Sequence, residues 1–228
     1  MPSIVLNPNE PNPNYMMHQE SAIKIFIKLL MGNDDLFWVT GKTGMGKSTF
    51  LLWLRKAAPK YNVKAVFFHG GEGLKFERVK REIEEAARPS FFTRLFGRKY
   101  SKKPLLILLD EVGWVDEDET GKIFHYLVSK LDDPDLRIGI VLSSIHQYKS
   151  KAFLIFYFRE RYIETVPLQM PPKEIMMEMI KKRIEDAGGK DFEPFGKKTI
   201  ENIIKKSETP REVLIKLEKL SEKMESKE

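Results

Sequence analysis

The chain of 228 residues is 42% hydrophobic and 32% charged, the balance of a water-soluble globular protein with length for one large or two modest domains. No apolar run approaches the roughly 20 residues that span a bilayer, and the polar, proline-broken start MPSIVLNPNEPNPNYMM is not a signal peptide. The absence of cysteine excludes a disulfide framework and thiolate metal sites, so a cytoplasmic location with no membrane partner is expected.

Taken in order, the chain alternates helix and strand. HQESAIKIFIKLLMG places Ala22, Ile23, Phe26, Ile27, Leu29 and Leu30 on a helix ended by Gly32. LFWVT is a strand that runs into a glycine-rich turn, and a helix follows to about Ala58, stopped by Pro59. KAVFFH is a second strand and LKFERVKREIEEAA a charged surface helix. After the apolar strand LLILL come the helix DEDETGKIFHYLVSKL, with acids at its start, and the strands RIGIVLSS and RYIETVPL. This alternation predicts an α/β fold with a mostly parallel sheet flanked by helices. From Pro171 onward the three helical patterns PKEIMMEMIKKRIEDAGG, GKKTIENIIKKS and TPREVLIKLEKLSEKMES have no strand between them. The expected organisation is a nucleotide-binding domain over 1–168 and a small all-helical domain over 169–228.

The turn after the first strand, VTGKTGMGKST, fits G-x-x-x-x-G-K-[ST] between a strand and a helix, the phosphate-binding loop of P-loop nucleotidases. Backbone N–H groups from Gly41, Lys42, Thr43, Gly44, Met45 and Gly46 would wrap the phosphates of ATP, with Thr49 in the following helical turn. Lys47 would reach the β and γ phosphates and Ser48 would hold Mg²⁺. PLLILLDEVGW supplies the second half of such a site: Asp110 for the metal shell and Glu111 to polarise the attacking water. Adjacent acids favour hydrolysis over phosphoryl transfer to a small acceptor, the reaction of a P-loop small-molecule kinase. His69, His125 and His146 show no metal-ligand spacing and read as structural residues.

Further along, Thr209 and Pro210 read as N-cap and first residue of a helix. Arg211 then lies in the first turn, where the helix dipole already presents positive charge and a cation needs an anionic partner. Glu208 and Glu212 are the local possibilities.

These residues together resemble the AAA+ ATPases, and within them the archaeal Orc1/Cdc6-like and DnaA-like initiator group. The resemblance covers most of the chain and implies a P-loop fold with a helical lid. In that pattern YMMHQESAIKIFIKLL is similar to the box lining the adenine pocket, which implies a nucleotide contact for His18. RIGIVLSS stands where the family carries a γ-phosphate sensor, which implies Ser143 or Ser144. YFRERYIETVPL is similar to the stretch whose arginine enters a neighbouring subunit's ATP, with Arg159 and Arg161 as candidates and Arg161 preferred. ETPREVLIKL aligns with the second sensor, so the anion met by Arg211 would be the γ-phosphate. The winged-helix domain of full initiators is not among the motifs of this chain. The resemblance implies an ATP-dependent homo-oligomer engaged in DNA-associated assembly, with DNA and a helicase or other replication protein as partners. An ATP-gated regulatory or scaffold switch without DNA binding is the alternative.

The net charge of +6 has one source. RPSFFTRLFGRKYSKK, residues 88–103, holds six basic residues and no acidic one, and the cations elsewhere equal the 33 acids of the chain. Its mixture of aromatics and cations suits single-stranded nucleic acid, with Arg94, Phe96, Arg98, Lys99 and Tyr100 as candidate contacts. A partner-docking loop, a membrane-surface segment and a solvated structural loop are the other readings.

Overall fold

A computed structural model describes residues 6–32, 35–70, 74–89, 91, 95, 97, 99–111, 117–143, 156–158 and 161–226. Three apolar runs make the centre of the sheet: β1 (Leu36–Thr40), β3 (Leu105–Asp110) and β4 (Ile138–Ser143) are buried at every position. Strands covered on both faces read as continuous hydrophobic runs rather than alternating ones. β2 (Lys64–His69) and β5 (Glu164–Pro167) carry charged ends and half-exposed positions, and they form the two edges. The order is β2-β3-β4-β1-β5, with every neighbouring pair parallel. Parallel pairing requires crossover connections, which α1 (Gln19–Met31), α2 (Lys47–Ala57), α3 (Phe76–Ala87) and α4 (Glu117–Leu131) serve or flank.

The chain divides into two compact units. Glu20–Thr40 and Leu51–Pro167 form the sheet unit, and Met1–Gln19, Gly41–Phe50 and Leu168–Glu228 form the other. The sheet unit's core gathers Leu36, Trp38, Phe68, Ile107, Phe124 and Ile140, all buried. Within it α1 buries Ala22, Ile25, Phe26 and Leu29, a stripe at i, i+3, i+4 and i+7. This corrects the phase read from sequence: Ile27 and Leu30 lie outside the stripe and are exposed. The choice between Ile25 and Ile27 is open in so apolar a helix until its packing partner is known.

The second unit is built on α5 (Lys173–Asp186), α6 (Lys197–Lys205) and α7 (Pro210–Glu225). Met176, Ile180, Ile184, Ile200, Val213 and Leu217 form its core, and Leu6 of the N-terminal segment is fully buried among them. Arg183 fixes that segment: one guanidinium nitrogen donates to the carbonyl of Leu6, and the group lies 4.1 Å from the centre of the Tyr15 ring. The Tyr15 hydroxyl donates to Asp186 at 2.9 Å. Residues 6–18 and the phosphate loop thus pack with the helices after Pro167, whereas sequence order alone assigns them to the sheet domain.

α7 starts as its sequence predicts. Thr209 accepts from the Glu212 N–H at 3.2 Å, Pro210 occupies the first turn, and Glu212 accepts from the Glu208 N–H at 2.8 Å. Losing an N-cap oxygen costs about 1 kcal/mol. Thr209→Ala is therefore expected to lower unfolding free energy by about that amount in urea denaturation, while Thr209→Ser stays close to wild type.

Candidate nucleotide-binding site

The loop that fits the phosphate-binding pattern follows β1 directly and enters α2 at Lys47, so it ends on the unpaired backbone N–H groups at the start of α2. Lys47 is buried, and its ammonium donates to the carbonyls of Gly41 at 2.7 Å and Lys42 at 3.2 Å. Lys42 and Thr43 are exposed, Met45 is buried, and Ser48 and Thr49 are half-buried in the first turn of α2. The four-residue gap of the motif thereby acquires a physical shape: a turn whose carbonyls hold the lysine.

Gly44 meets the lid helix. Its φ of +86° belongs to the left-handed region, and its carbonyl accepts from the Arg211 N–H at 3.3 Å. A β-carbon on Gly44 would stand 2.9 Å from Arg211 Cβ and 3.1 Å from Thr209 Oγ1, so only glycine lets the turn sit against α7. Both local partners expected for Arg211 are taken. Glu208 pairs with Lys42 at 2.7 Å and Glu212 with Lys216 at 2.6 Å. The hydrogen bond from Lys216 also holds the Glu212 carboxyl below its ordinary range. Among the described residues the Arg211 guanidinium has no carboxylate partner, and its Cβ stands against the Gly44 turn. In the same unit His18 keeps a buried Nε2 with no hydrogen-bond partner among the described residues. Burial lowers the pKa of its imidazole, which is therefore neutral at pH 7.

The acids stand at the carboxyl ends of the strands in the sheet unit. Asp110 ends β3 and is 1% exposed. Ser143, fully buried at the end of β4, donates to Asp110 Oδ1, and the Glu111 N–H donates to Ser143 Oγ at 3.3 Å. One hydroxyl therefore serves both acids. Glu111 has a φ of +53°, uncommon for a side chain with a Cβ. Its neighbour across the sheet is Gly70, whose N–H donates to the Asp110 carbonyl at 2.7 Å. A methyl on Gly70 would collide with the carbonyl oxygens of Asp110 and Glu111. Strand register sets His69 opposite Asp110, with Nδ1 3.5 Å from Asp110 Oδ2 and Nε2 3.6 Å from Glu111 Oε2. His69 thus belongs to the acid cluster, a correction to its reading as an ordinary structural residue. Its signal was the end of the strand that pairs with β3, which no spacing rule marks.

Other expected residues fall elsewhere. Arg161 pairs with Asp35 at 3.1 Å and with Asp132, at the end of the sheet where β1 starts rather than where Asp110 and Ser143 lie. The Tyr100 hydroxyl donates to Asp133 at 2.7 Å and Lys99 pairs with the same carboxylate at 3.1 Å. These two residues tether the basic segment to the end of α4. Ser144, Arg159, Arg94, Phe96, Arg98 and His146 lie outside the described residues.

The donor sets fit a nucleotide and its metal. Asp110 Oδ2 is buried with no hydrogen-bond donor among the described residues, although a buried carboxylate oxygen is costly unless it meets a cation. Mg²⁺ binds such oxygens through few protein ligands while keeping several waters.

No protein-family model and no curated protein sequence matches the chain. Solved structures do. The fold is shared with a variant of RuvB from Thermotoga maritima at 15% identity, over 89% of this chain and 59% of that one, with a TM-score of 0.58. AMPPCP-bound DnaA from Aquifex aeolicus is 16% identical over 91% of this chain and 65% of its own, with a TM-score of 0.55. For Cdc6p from Pyrobaculum aerophilum the values are 14%, 93%, 62% and 0.54. The chain thus spans 59% to 65% of the length of these three proteins. The five-stranded parallel sheet flanked by helices is the α/β fold that the chain shares with these three structures. No helix among the described residues is long and apolar enough to cross a membrane.

Removing the Ser143 hydroxyl leaves a buried carboxylate and a backbone N–H without their shared partner. Ser143→Ala is expected to lower unfolding free energy by about 1–3 kcal/mol, read by urea denaturation at pH 7. Ser143→Thr, which restores the hydroxyl, should recover most of the loss.

Proposed function

We propose that the protein is a Mg²⁺-dependent ATPase of AAA+ type whose nucleotide cycle drives DNA-associated assembly, as an initiator-like or helicase-loader-like factor. The observation that carries this reading is the acid cluster: a buried Asp110 with one oxygen lacking a donor, joined through Ser143 to a Glu111 held at positive φ. A loop-capping pair of acids has no need of such burial. Backbone amides of residues 41–46 and the Lys47 ammonium would neutralise the phosphates, and Ser48 and Asp110 would hold Mg²⁺, which would supply charge stabilisation to the phosphate oxygens. Glu111 orients the attacking water and takes its proton, so that water and ATP give ADP and inorganic phosphate. Arg211, without a carboxylate partner among the described residues, reads the γ-phosphate from the 169–228 lid, and neutral His18 contacts the base. AMPPCP, an ATP analogue, bound to the structurally similar DnaA supports the nucleotide assignment.

ATP-bridged subunit contact completes the proposal. A role for Arg161 in a neighbouring subunit's site requires its pairs with Asp35 and Asp132 to open. A helicase or other replication protein is the expected partner of the assembled form.

Glu111→Gln is expected to bind ATP within a few-fold of wild type while hydrolysis falls by about 10²-fold or more, the usual contribution of a positioned base. Phosphate release measured beside equilibrium binding of a fluorescent ATP analogue checks both halves. Undiminished release would remove Glu111 from the chemistry, and phosphate passing to an acceptor instead of water would mark a kinase.

A further inference from the structure

The basic segment leaves and rejoins the sheet unit through a closed neck. α3 ends at Ala87, whose carbonyl accepts from the Ser101 N–H at 2.8 Å, so residues 88 and 101 stand side by side. Lys64, at the start of edge strand β2, locks the neck. Its backbone N–H donates to Pro104 O at 2.9 Å, and its ammonium donates to the carbonyls of Ala86 at 2.7 Å and Arg88 at 3.2 Å. Three separate chain pieces thereby bring Lys64, Arg88, Lys102 and Lys103 to one corner of the sheet. Tyr100 and Lys99, tied to Asp133, fix the returning strand.

This corner is not electrically balanced. Arg88, Lys102 and Lys103 are exposed and form no ion pair among the described residues, although Lys28, Lys42, Lys99, Lys122, Lys173, Lys181 and Lys216 all do. The pKa of Lys64 is lowered by burial and, next, by the positive charge of Lys103. Among the described residues, Lys64 and Lys103 stand close enough for their charges to repel. On the segment that the neck presents, Phe91 is 73% and Leu95 68% exposed.

We propose that this neck is a binding surface for single-stranded nucleic acid, with Arg88, Lys102 and Lys103 on successive phosphates and Phe91 stacking on a base. The inference rests on the DNA-associated part of the proposed function and names where that contact is made. Cations drawn from separate chain pieces suit a polymer of repeated phosphates. Among the described residues of the segment, Phe91 and Leu95 are the exposed large apolar side chains, and two offer too little surface for stable insertion into a lipid interface, which takes the whole face of a helix. An exposed ring offers stacking to an unpaired base and nothing to a base inside a duplex.

The test uses the full chain and a fluorescein-labelled oligothymidylate of about 16 nucleotides, with binding followed by anisotropy across a salt series. Each phosphate contact to a single strand contributes about 0.7 to the slope of log affinity against log salt. Lys102→Gln with Lys103→Gln should therefore flatten the slope by about 1.4, while the exposed Lys219→Gln control keeps the wild-type value. Phe91→Ala should lose about fivefold or more in affinity with the slope unchanged. Basal ATP hydrolysis should be unaltered in all three. The proposal is overturned by wild-type protein that shows no salt-sensitive binding, by an unchanged slope in the double variant, or by binding to phosphatidylglycerol vesicles without binding to the oligonucleotide. Hydrolysis absent from wild type while the slope shift persists would sink the ATPase reading and leave this one standing.

Discussion

The reading of Arg211 depends on one backbone contact, the seating of Gly44 against the first turn of α7. The Gly44 carbonyl accepts from the Arg211 N–H, and the absence of a Cβ lets Thr209 and Arg211 pack onto the turn. That contact places a helix start, with its N–H groups and partial positive charge, beside a loop that follows the phosphate-binding pattern. Glu208 and Glu212, the acids near enough in sequence to compensate Arg211, are drawn off by Lys42 and Lys216. These pairs are largely exposed and contribute little to stability. Their consequence is to leave the Arg211 guanidinium for another anion.

The acid cluster follows a different logic, that of parallel strands ending together. His69, Asp110 and Ser143 are the last residues of three adjacent strands, and α/β sheets place their chemistry at that edge. A single buried hydroxyl sets both acids, donating to the Asp110 carboxylate and accepting from the Glu111 N–H. Gly70 on the next strand leaves space for their carbonyls. Positive φ at Glu111 costs about 1–2 kcal/mol for a residue with a Cβ, a strain the surrounding hydrogen bonds over-determine. Preorganisation of this kind is where an active site differs from a loop with two acids in it.

Much of this was legible in the sequence, for identifiable reasons. The loop at residues 41–48 is a contiguous motif, LLILLDE marks a buried strand by its unbroken apolar run, and Thr209-Pro210 is a local capping signal. What escaped depends on pairing across long stretches of chain. His69 joins the acids only because β2 lies in register with β3. That Ser143 meets Asp110 follows from the pairing of β3 with β4, which the motif does not show. Leu6 and Tyr15, in a proline-rich start without periodicity, gave no sign that they pack with the helices after Pro167. Arg161 and Tyr100 look available in sequence and are engaged by aspartates distant from them.

The central claim is that Arg211 reads the γ-phosphate, and titration calorimetry with MgATP and MgADP tests it most directly. Wild-type protein should prefer ATP to ADP, and Arg211→Ala should lose about tenfold or more in ATP affinity, the value of a hydrogen bond to a charged group. ADP affinity should be unchanged. Equal ATP affinities in the two proteins would contradict the account and return Arg211 to a solvent-facing role.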